Sequence, residues 1–162
     1  MTFDPTQPWG RLCAVDPAPL AAWVTWGSAR APWVVQAGHK PARLHSGWPE
    51  GLVRSLAEAV LVAALALSDG HPLTYREVVL SRVPPGLVHP MHVDQRESAW
   101  WTRVHVPLIT HAGAWHEFEE DYGERFTMLA GWAYWFDASR RHAFGNDGES
   151  DRVHLVLDVV RL

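Results

Sequence analysis

Beyond Pro72 the chain changes from helical to β-type patterning, and that change limits the available folds more than any other feature. Short apolar runs at 75–83, 100–110, 114–119, 125–129, 132–137 and 152–162 are separated by turn signals at 84–86, 112–113, Gly123, 130–131 and 145–148. Ahead of them, the run from Leu52 to Ser68 is dense in Ala and Leu. Only Arg54, Ser55 and Glu58 interrupt it, and it stops at Asp69-Gly70 before Pro72. This pattern predicts one helix, largely buried against a sheet. Many short strands after one helix predict a mainly β protein with flanking helices, its core a double-stranded β-helix, the jelly roll of cupin type. The 162 residues read as a single domain. Within it, residues 1–50 wrap the body as loops with a short helix or edge strand, with apolar pieces at 20–26 and 33–37. Residues 51–70 form the supporting helix, and 72–162 the jelly-roll core.

Composition narrows the function classes. Fourteen Lys and Arg against eighteen Asp and Glu leave a net charge of −4, and Lys40 is the sole lysine. No basic stripe is available for a phosphate backbone, so nucleic acid is an unlikely partner. A single cysteine, Cys13, rules out an internal disulfide framework and fits a reducing compartment. The N-terminus carries neither a basic nor an apolar signal region. The longest apolar stretch, Ala59 to Leu67, is far short of the ~20 residues that span a bilayer. The expectation is a cytoplasmic protein with no membrane partner. Ten tryptophans are expected mostly in the core or in pocket walls.

The chemistry-bearing pattern is His92-x-Asp94, then His142, then Arg152. Residues two apart on a strand share a face, so His92 and Asp94 can turn toward one ion while His142 approaches from another strand. Two histidines and one carboxylate on one face of a metal leave the opposite face open, as in non-haem Fe(II) oxygenases. An arginine nearby can grip a dicarboxylate co-substrate, because its fork matches a carboxylate bidentately. A structural salt bridge is the other use for Arg152. On its strand it shares a face with His154, Val156 and Asp158, while Val153, Leu155 and Leu157 face the other way. On the strand 100–110, Arg103 and His105 likewise share a face, with Val104 and Val106 opposite. Ten histidines also allow a three-histidine zinc site built on His92 with His89, His111 or His116. A zinc hydrolase has no evident need for Asp94 together with Arg152, so these three histidines are expected at the surface or the pocket rim.

Four pieces in order then resemble a known family: R-x-H-x-P-L at 103–108, G-W-x-x-x-F-D at 131–137, H-x-x-x-N at 142–146 and R-x-H-L-x-x-D at 152–158. Together with the run 81–94 they resemble the aspartyl/asparaginyl β-hydroxylase family of Fe(II)/2-oxoglutarate oxygenases, in particular its small bacterial, proline-hydroxylase-like members. The resemblance covers roughly residues 75–160. It implies iron ligands His92, Asp94 and His142. It implies that Arg152, helped by Ser81, holds the distal carboxylate of 2-oxoglutarate, with Arg103 and His105 near the metal-chelating end. The animal protein-hydroxylating members lack a carboxylate in the triad, so Asp94 places this chain nearer the bacterial type.

The activity so implied is dioxygenase chemistry, with Fe(II) as cofactor and 2-oxoglutarate and O2 as co-substrates. It hydroxylates an unactivated carbon of an amino acid, taken as a small molecule, in a peptide or carrier-bound. No helical-repeat peptide-docking region accompanies the site, which favours the small or carrier-bound forms. Trp100, Trp101, Trp115, Trp132 and Trp135 could form an aromatic wall, and His89, His111, Arg140 and Arg141 could orient a substrate at the mouth. The alternative is a cupin-like metal-binding module without oxygenase activity.

Overall fold

The computed structural model describes residues 7–27, 34–35, 49–66, 68, 70–94, 100–121 and 123–162. The elements run β1 (Trp9–Ala14), α1 (Ala18–Gly27), β2 (Val34–Val35), α2 (Glu50–Leu65), β3 (Leu73–Val83), β4 (Val88–His92), β5 (Trp100–Ile109), β6 (Ala114–Phe118), β7 (Arg125–Phe126), β8 (Trp132–Phe136), β9 (His142–Asn146) and β10 (Arg152–Arg161). A six-stranded sheet has the order β1-β8-β5-β10-β3-β2, and a four-stranded sheet the order β4-β9-β6-β7. Their inner faces meet across the interior, where Arg152 of one sheet touches His116 of the other. This is the jelly roll expected from the strand pattern.

β10 shows how the sequence builds the layers. Arg152 through Val160 are all buried, because the strand lies between β5 and β3 with cover on both faces. Val153, Leu155, Leu157 and Val159 pack outward with Val78 and Leu80 of β3, Val104 and Val106 of β5, and Trp135 of β8. Leu20 and Val24 of α1 and Val53, Ala57, Val60 and Ala64 of α2 close this layer. The even-numbered residues of β10 face the other sheet, which leaves Arg152, His154 and Asp158 inside. A second, smaller cluster of Phe118, Met128, Tyr134, Phe136 and Ala138 fills the space between the sheets.

Two differences from the sequence reading concern the helix. The helix expected at 52–68 ends at Leu65, and the Ser68 hydroxyl donates within its final turn to the Leu65 carbonyl at 2.9 Å. It is not largely buried: only Val53, Ala57, Val60 and Ala64 are, one stripe at helical spacing, while Val62 is 73% exposed. The N-terminal segment supplies both edges of the six-stranded sheet, β1 and β2, in keeping with the edge strand expected there. Gly10 in β1 is tolerated because the Trp135 ring occupies the space a side chain would need, 2.7 Å from an added Cβ. No helix among the described residues is long and apolar enough to cross a membrane.

Candidate active site

β4 and β9 bring the first cluster together. They pair antiparallel with His89 opposite Phe144 and His92 opposite His142, so β4 carries one extra residue between the two pairs. The extra residue lies in the Pro90-Met91 stretch, and β4 is an edge strand, where a proline's missing N–H costs no ladder bond. The bulge reverses the alternation, so His92 turns inward in place of Met91. It also puts the Pro90 carbonyl 2.8 Å from His92 Nδ1. His142 Nδ1 lies 2.8 Å from the Arg140 carbonyl. Each carbonyl fixes the proton on Nδ1 and leaves Nε2 with a free lone pair. Asp94 follows just past β4, tied by its N–H to the Ala138 carbonyl at 3.0 Å. Its Oδ1 lies 3.6 Å from His92 Nε2 and its Oδ2 3.9 Å from His142 Nε2. Burial lowers the His142 pKa to about 4, so its imidazole is neutral near pH 7, as a metal ligand must be.

The second cluster lies deeper. Arg152 is 1% exposed. Its NH2 group donates to His116 Nε2 at 2.9 Å and lies 3.0 Å from His154 Nδ1. Its NH1 has no hydrogen-bond partner among the described residues, and neither does His116 Nδ1. Burial lowers the Arg152 pKa to about 9, yet the group keeps its proton at neutral pH. His105, His116 and His154 are pushed well below the usual imidazole range, first by burial and then by the Arg152 charge. These three imidazoles are spaced closely enough to hold a cation. Arg152 argues against that use, since it places a positive charge beside them and engages ring nitrogens of His116 and His154. A buried cation among neutral rings, with donors left over, is the setting for an anion. Ser81 is buried directly opposite His154 in the pairing of β10 with β3.

The clusters adjoin. The Phe136 ring lies 4.9 Å from His142 and 5.2 Å from His105, and Phe144 lies 6.1 Å from His92 and 6.2 Å from His116. Arg103 stands at the metal-type cluster, where NH1 donates to Asp94 and Nε to Asp158 at 2.8 Å. Burial opposes the Arg103 charge, but the hydrogen bond to Asp158 and the charges of Asp158, Asp94 and Glu77 raise its pKa overall.

The structure therefore assembles His92, Asp94 and His142 as one group and Arg152, His105 and Ser81 around a second, with Arg103 attached to the first. His116 corrects the sequence reading: it is 1% exposed and in contact with Arg152, not a surface or rim residue. The alternation of Trp115, His116 and Glu117 was the available signal, but it does not say which face is interior. His89 does sit at the rim of the first cluster, 3.1 Å from His92 and stacked on Phe144. His111 bonds the Ser150 carbonyl in a turn.

Arg141 pairs with Glu119, and Arg140 with Glu120 and Asp137. Among the described residues, Trp115, Trp132 and Trp135 do not gather into one wall. Trp135 faces the helices. Trp115 lies over Gly145 on the outer face, under Arg125. Trp132 packs beside the inner cluster, and the side chains of Trp100 and Trp101 lie outside the described residues. Phenylalanines line the interior in their place. Asn146 ties β9 to the end of β3, donating to the Val83 and Ser150 carbonyls at 2.8 Å each.

Comparison with known proteins agrees with this fold. The sequence model of the Aspartyl/Asparaginyl beta-hydroxylase family matches residues 57–162. No curated protein sequence matches the chain. Among solved structures, the fold is similar to that of the non-heme monooxygenase ThoJ in its nickel complex, with a TM-score of 0.69 at 19% identity over 96% of this chain and 74% of that one. It is also similar to a Pseudomonas putida prolyl-4-hydroxylase, with a TM-score of 0.68 at 17% identity over 97% and 94%. The 2OG complex of viral collagen prolyl hydroxylase from Paramecium Bursaria Chlorella virus-1 gives a TM-score of 0.64 at 11% identity over 96% and 97%.

Proposed function

The chain belongs to the aspartyl/asparaginyl β-hydroxylase family, and from that premise we propose that it is an Fe(II)- and 2-oxoglutarate-dependent dioxygenase hydroxylating an unactivated carbon of an amino acid, free, in a short peptide or carrier-bound. The observation that carries this reading is the buried Arg152, charged, without a carboxylate partner among the described residues, and adjacent to a His-Asp-His group. The donor set fits the implied cofactor: two imidazoles with Nε2 lone pairs and one carboxylate, their ligand atoms all within 4.8 Å of one another. The orphaned Arg152 NH1 and His116 Nδ1 fit a dicarboxylate. The similarity to a protein named a prolyl-4-hydroxylase and to one solved with 2OG supports the same assignment.

On this reading His92, Asp94 and His142 hold the iron. Arg152, Ser81 and His116 take the distal carboxylate of 2-oxoglutarate, while Arg103 and His105 stand at its chelating end. When bound, iron and co-substrate supply oxidation by O2, one oxygen atom entering the substrate and the other entering succinate as CO2 is released. The chain's part is positional. The Pro90 and Arg140 carbonyls fix the two metal-facing imidazoles, Arg152 sets the co-substrate's direction, and Phe136 and Phe144 exclude water between the two clusters.

The test is succinate formation coupled to gain of one oxygen atom across a panel of amino acids, short peptides, carrier-bound aminoacyl groups and nucleosides. Coupled turnover with an amino-acid substrate is the expected result. Turnover only with nucleosides would overturn the substrate class. Tightly held zinc with no 2-oxoglutarate binding would favour the metal-binding module.

A further inference from the structure

Asp158 lies on the interior face of β10 beyond Arg152 and His154, directly opposite Arg103 of β5 and Glu77 of β3. It is 5% exposed. Arg103 holds it with two donors, Nε at 2.8 Å from Oδ1 and NH2 at 3.3 Å from Oδ2. The remaining arm of the same guanidinium, NH1, reaches Asp94 Oδ2. One rigid fork thus spans two carboxylates, one of them in the His92-Asp94-His142 group. Arg76 approaches Asp158 from the rim at 3.9 Å, with 37% of its side chain exposed.

The charge balance gives this bridge a consequence. Arg103 alone would cancel the charge of Asp94 and leave the two imidazoles to attract a dication by themselves. Asp158 returns the trio to net −1, and Glu77 and Arg76 offset each other. Geometry acts in the same direction. With Oδ2 engaged by Arg103, Asp94 presents Oδ1, 3.6 Å from His92 Nε2, as its metal-facing atom.

We propose that Asp158 is a positioning residue for the metal: through Arg103 it orients the Asp94 carboxylate and preserves the negative charge that draws a divalent cation to the site. The proposal rests on the reading of His92, Asp94 and His142 as metal ligands. Asn at 158 keeps the volume and an acceptor for Arg103 but removes the charge. Outer partners of metal ligands typically change affinity by roughly 10- to 100-fold.

The experiment is a titration with Mn(II) alone, without co-substrate, read by electron paramagnetic resonance, with thermal melting to follow the fold. Asp158→Asn is expected to weaken Mn(II) binding by about 10-fold or more. The double variant Arg103→Met with Asp158→Asn removes the opposed charges together, which restores the net negative charge at Asp94 but not its orientation, and is expected to regain part of that loss. A purely structural role would leave the double variant no better than the single one, and that result would overturn the proposal. Unchanged affinity in Asp158→Asn would overturn it too. Should the single variant not fold, Arg103→Lys probes the bridge from its centre, since a point charge cannot span both carboxylates; wild-type Mn(II) affinity there would also overturn it. Absence of Mn(II) binding in the wild type would instead bring down the ligand assignment, and this proposal with it.

Discussion

Arg152→Met is expected to leave the protein, free of metal and co-substrate, melting no lower than the wild type while it loses 2-oxoglutarate. A buried guanidinium is ordinarily held by a carboxylate, and removing it then costs several kcal/mol. Here the described residues offer Arg152 only imidazole nitrogens, and NH1 has no partner. Burial pulls its pKa down from the usual guanidinium range to about 9, a desolvation cost on the order of 5 kcal/mol. Methionine relieves that cost and fills much of the same volume. Loss of a buried charge-assisted contact to the co-substrate is expected to cost about 2–5 kcal/mol, or roughly 30-fold and upward in affinity. Arg152→Lys should recover only part, because an ammonium cannot reproduce the fork. Melting curves and co-substrate titration, done on the same preparations, separate the two effects. A large fall in melting temperature with unchanged 2-oxoglutarate affinity would make Arg152 a structural residue.

The protein free of metal and co-substrate is also expected to lose stability steeply as pH falls below 6.5. Four buried imidazoles have depressed pKa values: His142 to about 4, and His105, His116 and His154 well below the usual value. In the unfolded chain each takes up a proton near pH 6.5. Between that pH and the folded pKa the unfolded state binds more protons, so stability falls as pH falls. Each imidazole contributes about 1.4 kcal/mol per pH unit in that window. Four acting together make a steep slope against the roughly 5–15 kcal/mol that holds a domain folded. The share from His142 saturates below its folded pKa of about 4. Urea midpoints at pH 7.5 and 5.5 measure the effect, and equal midpoints would contradict it. His116→Phe removes one proton from the count and should flatten the slope by about a quarter.

The jelly roll was readable because its central strands carry clean signals. The alternation of β10 put Arg152, His154 and Asp158 on one face and Val153, Leu155 and Leu157 on the other, and the structure keeps that division. β4 and β9 were harder. The sequence of β4, with Pro90 inside it, lacks alternation, and its inward turn depends on a bulge that only the pairing with β9 defines. Gly145 and Asn146 look like turn residues but belong to β9, because the ring of Trp115 needs the space a side chain at 145 would fill.

The metal-type group was recoverable from spacing since its three members lie on or beside neighbouring strands. The depth of the anion pocket was not. Periodicity alone does not tell the interior face of β6 from the exterior one, so His116 could not be told from the chain's nine other histidines. The tryptophans left two placements open for a related reason: a large ring is as useful between sheet and helix, where Trp135 packs, as in a pocket. Asp158 was legible as a residue on the right face, but its link to Asp94 runs through Arg103 and exists only once β5 and β10 are paired.

The most direct measurement of the central claim is the visible absorption of the protein mixed anaerobically with Fe(II) and 2-oxoglutarate. Chelation of iron by the co-substrate within a His-Asp-His site is expected to give a weak, broad charge-transfer band in the wild type. His92→Ala, Asp94→Ala and His142→Ala should abolish or greatly weaken it. Arg152→Met should require far more 2-oxoglutarate to produce it. A band that persists unchanged in both histidine variants would contradict the ligand assignment. No band in the wild type, with no 2-oxoglutarate bound, would contradict the oxygenase reading itself.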